Sequence, residues 1–381
     1  ESLMHGWAAS APRLLLFLTK VRRISIWRWR ADAPGPDLIA AAQRQTGQAQ
    51  VPFERIPHSL GEGQAASYVA LRECIRNLSA EERAELSKMH ADIVHIEDGA
   101  GHPGMSWLVV QRFDVETREL LAALEDGCNA VPVVGLALPL TVTDGSQIEG
   151  VPFCFLPVGS MRTGLPLHIN GSFHPTPNRR DLWLPAAELD GGHEKKAKWN
   201  DVLMRHAVPR LWQDALVSLT DPAWKDAREL DAIPSDLLLS LLPNLDAVHD
   251  KWLVVAQNLY KRLGDVAILP HAREPRWVKP KEALAFRTHT EDLATHTSRL
   301  IDLYKRCHPN IFDETLKLGA KFVVDLPAHV QQGSVNYSCL SETGIERVIF
   351  AVIKADHEVW RAPHVTEEAI LANYSAKQLK E

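Results

Sequence analysis

Two adjacent arginines lie in a loop whose residue types suit the binding of an anion. In the stretch TGLPLHINGSFHPTPNRRDLWLP, residues 163–185, a short apolar strand ends at an Asn-Gly pair, and two prolines then precede Arg179 and Arg180. A guanidinium is a planar fork of N–H donors that matches a phosphate or a carboxylate. The pair therefore predicts either a phosphate site or a structural ion pair, for which Asp181 is the nearest carboxylate in sequence.

A glycine-rich segment, IVHIEDGAGHPGM at 93–105, is a candidate nucleotide site. It is similar to the D-x-G-x-G box of GHKL ATPases, but Gly99 and Gly101 follow Asp98 one residue out of step with that box. The segment therefore favours a glycine-rich loop between two strands. A looser match, SLGEGQAAS at 59–67, lacks the preceding strand that a dinucleotide site requires.

The remaining polar residues form no pattern that supports catalysis or metal binding. The chain contains 17 histidines, and none belongs to an H-E-x-x-H pair. His168 and His174 flank the Asn-Gly pair, but the strand alternation places them apart. The sequence also has no nucleophile elbow. We therefore expect no catalytic residue and no metal site in this chain.

Composition and charge exclude several classes of protein. The chain has 381 residues, 45% hydrophobic and 24% charged, which is typical of a globular protein. A net charge of −6 argues against a general nucleic-acid binder. No apolar run approaches the roughly 20 residues of a membrane helix. The five scattered cysteines, without a C-x-x-C pair, favour a reducing compartment. With a first residue other than Met and no secretory signal, we expect a piece of a longer cytoplasmic protein.

The elements that must position the arginine loop form a mixed sheet with helices, an α+β fold. Alternating and continuous apolar runs predict strands, and apolar residues at helical spacing predict helices. We expect the 131–142 and 151–158 strands to pair antiparallel and the 165–169 strand to extend the same sheet. We also expect a long helix to pack on this sheet. Pro209 should either kink that helix or start a second one. The predicted strands are 24–30, 49–56 (after a short helix from 38), 107–113, 131–142, 151–158 and 165–169; the predicted helices are 67–92, 115–124, 199–219 and 233–263.

A proline-bounded connector at 270–280 suggests two domains, 1–268 and 269–381. In the second, the pattern predicts helices at 290–304 and 313–318, strands at 321–324 and 346–350, and a polar helix from about 366. This predicts a smaller α/β domain after the larger one.

Several longer motifs carry a resemblance to a known family. They are, in order, FLTKVRRISIWRW, WLVVQRF, VPVVGLALPL, FCFLPVGSMRTGLPLHINGSFHPTPNRRDLW, WNDVLMRHAVPRLWQDAL, RWVKPKEALAF, ETLKLGAKFVVDLPAHV and VTEEAILANY. Their order resembles the segment that follows the heat-shock-chaperone-like GHKL ATPase domain in sacsin-type repeats, and it covers nearly the whole chain. The residues that match the central motif are Asn170, Gly171, Asp181, Trp183, Trp199 and Asn200.

The resemblance implies a chaperone middle domain with a GHKL transducer fold, in which a basic or amide side chain on a loop reaches the γ-phosphate. By that resemblance the chain is a non-catalytic coupling and client-binding segment. ATP and Mg would be bound by a neighbouring N-terminal ATPase domain of the same parent chain, and no cofactor by this chain. Its partners would be client proteins or co-chaperones, and neither nucleic acid nor membrane. The candidates for the phosphate-facing residue are Arg162, Arg179 and Arg180.

An alternative remains from a different class: a free-standing hydrolase or transferase with an unrecognised site, near Asp98 or His168.

We expect the two arginines of the pair to have different roles, because adjacent side chains of an extended segment face opposite ways. One guanidinium would be held by a carboxylate such as that of Asp181, and the other would point outward.

Overall fold

A computed structural model of the chain describes most of its first 284 residues and a few between 321 and 333. Contacts between Cα atoms divide the chain into two compact units, Glu1–Ile268 with Pro327–Asn336 and Leu269–Leu326 with Tyr337–Glu381. The described residues are 12–18, 21–28, 35–46, 64–98, 104–141, 148–159, 161–185, 190–228, 230–271, 274–284, 321–323, 326, 327, 329, 330 and 333.

The first unit contains a mixed sheet of eight strands, in the order β1-β2-β3-β4-β5-β8-β6-β7. All neighbouring strands pair antiparallel except β8 and β6, which are parallel. The strands are β1 (Arg23–Arg28), β2 (Asp37–Thr46), β3 (His90–Asp98), β4 (Met105–Phe113), β5 (Val133–Pro139), β6 (Pro152–Cys154), β7 (Leu156–Pro157) and β8 (His168–Gly171). The α+β class with a mixed sheet, predicted from the sequence, is confirmed.

Helices of the first unit cover this sheet. Helix α5 packs on β4 and β5, and α8 packs on α5. None of the described helices is long and apolar enough to cross a membrane. The helices are α1 (Gln64–Asn77), α2 (Ala80–Leu86), α3 (Arg118–Glu125), α4 (Gly191–Val202), α5 (Val208–Thr220), α6 (Pro222–Asp226), α7 (Ser235–Ser240) and α8 (Asp250–Leu263).

The centre of the sheet is buried on both faces. Every residue of β5 is buried, as is typical of a strand covered on both sides. On one face, Trp107, Val109 and Ala137 belong to a cluster with Leu15, Leu16 and Phe17. Because alternate residues point to opposite faces, the neighbouring Leu108 and Leu136 face the other way. Strand β8, which leads into the arginine loop, pairs with this buried central region.

Pro209 separates two helices through a π-helical segment. Helix α4 continues into the π-helical turn Leu203–Ala207, and α5 then begins at Val208. Proline has no N–H to donate to the carbonyl four residues earlier, and its ring needs space in the preceding turn. The wider turn supplies that space, with the Val208 N–H bonded to the Leu203 carbonyl. The prediction that a second helix starts at this proline is therefore confirmed.

The predicted antiparallel pairing of the 131–142 and 151–158 strands is wrong. Strand β8 lies between them and pairs with β5, so that Gly135 faces Asn170 across the ladder. The 151–158 segment forms two very short strands, β6 and β7, and β6 pairs parallel to β8. The sequence signal was a hairpin turn, but one edge of β5 pairs with the earlier strand β4 and the other with the later strand β8.

Two helix predictions near the N-terminus need correction. The helix expected from residue 38 is wrong, because Asp37–Thr46 is strand β2, held between β1 and β3. Pairing on both sides outweighs the helix propensity of its alanines. The 67–92 helix is two helices, and His90–Asp92 already belongs to β3. The capping box that starts the second helix is confirmed, since Ser79 and Glu82 bond each other's backbone N–H.

The remaining predicted elements differ from the structure in extent or lie outside its described part. The 233–263 helix is two helices, α7 and α8, with residues 241–249 between them. In the second unit, the 270–280 connector contains a small antiparallel pair, β9 (Leu269–Pro270) with β10 (Trp277–Val278), and β11 (Ala283–Leu284) pairs parallel to β12 (Lys321–Phe322). The elements expected at 49–56, 290–304, 313–318, 346–350 and beyond 366 lie outside the described residues.

Candidate functional site: the arginine loop and its scaffold

The arginine loop, residues 172–185, is a tight excursion that leaves β8 and returns towards α4. Pro175 and Leu182 form an antiparallel bridge across it. At its end the N–H of Arg179 donates to the carbonyl of Thr176 at 2.8 Å, and the N–H of Thr176 donates to the carbonyl of Asp181 at 2.8 Å. These bonds close a turn whose outermost residues are Asn178, Arg179 and Arg180.

The fully buried amide of Asn200 holds the base of the loop together. Its Oδ1 accepts the N–H of His174 at 2.8 Å, and its Nδ2 donates to the carbonyls of His174 and Trp183, each at 2.8 Å. The neighbouring Trp199 donates its Nε1–H to the carbonyl of Ser172 at 2.9 Å. One turn of α4 thus fixes both strands of the loop, because each backbone group has a buried partner.

A second motif amide, Asn170, fixes the adjacent tip turn, residues 154–159. Its Oδ1 accepts the backbone N–H of Phe155 at 3.0 Å, and Phe155 has a positive φ of 61°. Gly159 lies so close to the loop that a Cβ there would be 2.9 Å from Cα of Arg180. The tip turn and the arginine loop therefore form one surface, supported by two buried amides.

The three candidate arginines have different surroundings. Arg162 pairs with Glu149 at 3.2 Å. Arg179 is exposed, has φ 53°, and donates its Nη2–H to the carbonyl of Cys154 at 3.3 Å. The side chain of Arg180 is exposed and makes no hydrogen bond or ion pair with any residue that the structure describes. Arg180 is therefore the candidate most available to an outside anion.

The expected ion pair between the arginines and Asp181 is wrong. One carboxylate oxygen of Asp181 accepts from the Leu182 N–H, and the other from Nζ of Lys251 on α8. The loop is thus tied to a lysine seventy positions later in the chain, and the two guanidiniums are left outside. Both arginines stay exposed because the turn carries them away from the core, rather than alternating as in an extended strand.

The other motif residues serve packing. The Phe173 ring covers Gly171, where a Cβ would be 2.9 Å from the ring. Trp183 stacks on His193 with ring centroids 4.1 Å apart. The six family-motif residues divide between two places: Asn170, Gly171, Trp199 and Asn200 belong to the scaffold, and Asp181 and Trp183 to the loop itself.

Asp98 and His168, the two residues considered for the alternative function, lie in different surroundings. Asp98 ends strand β3, where it faces Ala42 in the ladder, and the Gly99–Gly101 segment lies outside the described residues. His168 is buried, stacks on Trp107, and accepts the Val151 N–H at Nδ1. Burial, with nearby Arg13 and Arg162, lowers the pKa of His168 to about 3, so the imidazole is neutral at pH 7.

The sequence reasoning missed one contact between a thiol and an imidazole. Sγ of Cys128 lies 3.4 Å from Nε2 of His174. Burial raises the pKa of Cys128 to about 11 and lowers the pKa of His174, so both groups are held in their neutral forms. A catalytic cysteine needs the thiolate, and this pair disfavours it. No spacing signal links residues this far apart in the chain.

Within the described residues, no three His, Cys, Asp or Glu side chains form a metal site.

Comparison with known proteins shows a similarity to human sacsin. The chain is 28% identical to human sacsin over 282 residues, which cover 70% of the chain and 6% of the length of human sacsin. No known protein-family model matches the chain, and no solved structure matches it. The arginine loop and its scaffold, whose motifs carried the resemblance, are thus part of a chain that contains a sacsin-like region.

Proposed function

We propose that this chain is the coupling and client-binding segment of a sacsin-like molecular chaperone in the cytoplasm. Residues 1–268 would be its middle-domain-like, transducer part and 269–381 a smaller α/β domain. An ATP-binding domain outside this chain would bind ATP and Mg, while this chain contributes contacts rather than turnover of its own. The similarity to human sacsin supports the class of protein.

One observation carries the residue-level proposal: among the described residues the Arg180 guanidinium has no partner, although its loop is otherwise firmly anchored. Asn200 and the Asp181–Lys251 pair hold the loop, while the Arg180 side chain has no described partner. A cation placed in advance at the γ-phosphate stabilises the charge that develops during phosphoryl transfer. An anchored loop loses little entropy when its side chain meets the phosphate.

The same reasoning orders the other two candidates. Arg162 already has Glu149 as a partner, so contact with a phosphate would require that ion pair to open. Arg179 is exposed but its guanidinium also holds the tip turn through the carbonyl of Cys154. Arg180 is therefore the first choice, Arg179 the second and Arg162 the third.

The test is the steady-state ATPase rate of the complete repeat, in which this chain is joined to its nucleotide domain. We expect Arg180→Ala to lower the rate by about tenfold or more, with an unchanged melting temperature. Arg118→Ala is the matched control, since Arg118 is an exposed arginine at the start of α3, elsewhere in the unit. Equal rates for both variants would contradict the phosphate role of Arg180.

A second measurement separates the coupling role from the alternative of a free-standing enzyme. Isothermal calorimetry of this chain alone with MgATP is expected to show no tight binding, because the Asp98 segment does not match the D-x-G-x-G box. Micromolar binding that is lost in Asp98→Asn would instead place a nucleotide site in this chain and contradict the proposal.

A further inference from the structure

The most unusual backbone in the described part of the chain is concentrated on one surface. Phe155 and Arg179 are the two non-glycine residues with a positive φ among the described residues, at 61° and 53° respectively. They contact each other's segments through the Arg179 Nη2–H and the carbonyl of Cys154. A positive φ is a clear outlier for a bulky aromatic residue. Such strain persists where the surrounding structure enforces it, and it is concentrated at functional sites.

The strained tip turn presents apolar side chains to solvent. Phe155 and its neighbour Leu156 are 51% and 48% exposed. The left-handed conformation of Phe155 is held by the Asn170 amide, whose Oδ1 is bonded to the Phe155 N–H. A buried amide thus maintains a conformation that leaves an aromatic ring and a leucine outside the core. Folding alone provides no reason for this arrangement, because both side chains would be more stable in apolar surroundings.

The arginine loop adds positive charge beside these apolar side chains. Arg179 and Arg180 are both exposed. The carboxylate nearest to them in sequence, that of Asp181, is already bonded to Lys251. Gly159 packs against the backbone of Arg180, which brings the loop and the tip turn together. We call the surface made by Phe155, Leu156, Arg179 and Arg180 the tip surface.

We infer that the tip surface binds an extended protein segment in which carboxylates flank an apolar side chain. Carboxylates would pair with the two guanidiniums, and the apolar side chain would cover Phe155 and Leu156. A phosphate group alone would use the arginines but leave the apolar pair exposed, so the combination favours a protein partner. The inference rests on the proposed client-binding role and names the chemistry of the client.

The probe is a short fluorescein-labelled peptide with a central Leu-Phe pair flanked by glutamates. Fluorescence anisotropy measures its binding to the full chain, alongside two matched peptides, one with Ala in place of the central pair and one with Lys in place of the glutamates. We expect only the acidic, apolar peptide to bind well, and its affinity to fall as the salt concentration rises.

Two variants of the chain divide the surface into its charged and apolar halves. Arg180→Glu and Leu156→Ser are each expected to weaken binding by about tenfold. Arg118→Glu repeats the charge change at the start of α3, and Val217→Ser repeats the loss of an exposed aliphatic side chain on α5. Both controls are expected to bind the peptide as the unchanged chain does, with all four melting temperatures reported.

Each other outcome overturns the inference. The first such outcome is an absence of peptide binding, and the second is equal binding by the tip variants and their controls. The third is full competition by inorganic phosphate together with no effect of Leu156→Ser, because this result would show a simple anion site. The peptide-binding assay and the ATPase assay test the docking inference and the phosphate role of Arg180 separately. If Arg180→Ala lowers the ATPase rate but Arg180→Glu leaves peptide binding unchanged, the coupling role stands and the docking inference falls. The reverse result removes only the phosphate role.

Discussion

The base of the arginine loop and its outer end are made from one motif-rich stretch, yet their side chains have opposite environments. At the base, Asn200 is fully buried and makes three hydrogen bonds to the loop backbone. At the outer end, Arg180 is exposed and its side chain has no partner among the described residues. The difference teaches that a motif can contain two kinds of residue, those that build a scaffold and those that the scaffold presents. Substitutions at the two ends should therefore have separable effects.

The largest loss of stability is expected at Gly164, in the segment that leads into β8. Gly164 has φ 70°, and an added Cβ would overlap the carbonyl oxygen of Ala247. Gly164→Ala should lower the free energy of unfolding by about 4 kcal/mol, because backbone strain and a clash with backbone act together. Urea unfolding measures the change. Gly191→Ala is the control, since nothing lies within 4 Å of a Cβ at that helix start; similar losses in both would contradict the close approach at Gly164.

The second largest effect is expected at Asn200. Asn200→Ala removes the partners of one N–H and two carbonyls in the buried base of the loop. A buried group without its hydrogen bond costs about 1–3 kcal/mol, so we expect a loss of about 3 kcal/mol after partial relaxation. Asn178→Ala, at the outer end of the same loop, removes an exposed amide whose Oδ1 accepts from the Thr176 hydroxyl and the Arg180 N–H. Because water can replace these exposed bonds, the substitution should cost about 1 kcal/mol or less. Equal losses in chemical denaturation would show that the two ends are not distinct.

The buried His168 beside β6 gives the scaffold a pH dependence. The pKa of His168 falls from 6.5 to about 3 on folding, mainly through burial. Between these values the unfolded chain binds a proton that the folded chain does not, so stability is lost as the pH falls below about 6.5. From pH 7 to pH 5 this amounts to about 2 kcal/mol.

The matched variant for this pH effect is His168→Gln, which keeps an acceptor for the Val151 N–H but does not titrate. Unfolding free energies measured at both pH values should show a smaller loss in the variant by about 2 kcal/mol. Parallel pH profiles would mean that His168 has the same pKa in the folded and unfolded chain.

The sequence predicted the elements whose signal is local. Strands β4 and β5 follow from their apolar runs, and the capping box of Ser79 and Glu82 is a local exchange of hydrogen bonds. The insertion of β8 between β5 and β6 depends on which edges pair, and that is decided by contacts between distant residues. For this reason the hairpin signal gave the wrong partner strand for β5.

The candidate site shows the same limit. The motif located the arginines and the two amides, since residue type and order are visible in a sequence. Adjacency suggested Asp181 as the partner of an arginine, but the carboxylate bonds Lys251, which only the packing of α8 brings near. The Cys128–His174 contact likewise joins β8's exit to the end of α3. Long-range pairs of this kind have no spacing that a single sequence can reveal.

The smallest effect on stability is expected at the outer end of the loop. Arg180→Ala should change the free energy of unfolding by no more than about 0.5 kcal/mol, because the side chain is exposed and has no partner in the described part of the chain. Arg179→Ala should cost slightly more, though under about 1 kcal/mol, since its guanidinium donates one hydrogen bond to Cys154 at the surface. Thermal melts of both variants beside Asn200→Ala measure the contrast. A marked drop in either arginine variant would mean that the guanidinium supports the fold, and a loss of peptide binding or ATPase rate in that variant could then no longer be assigned to the surface it presents.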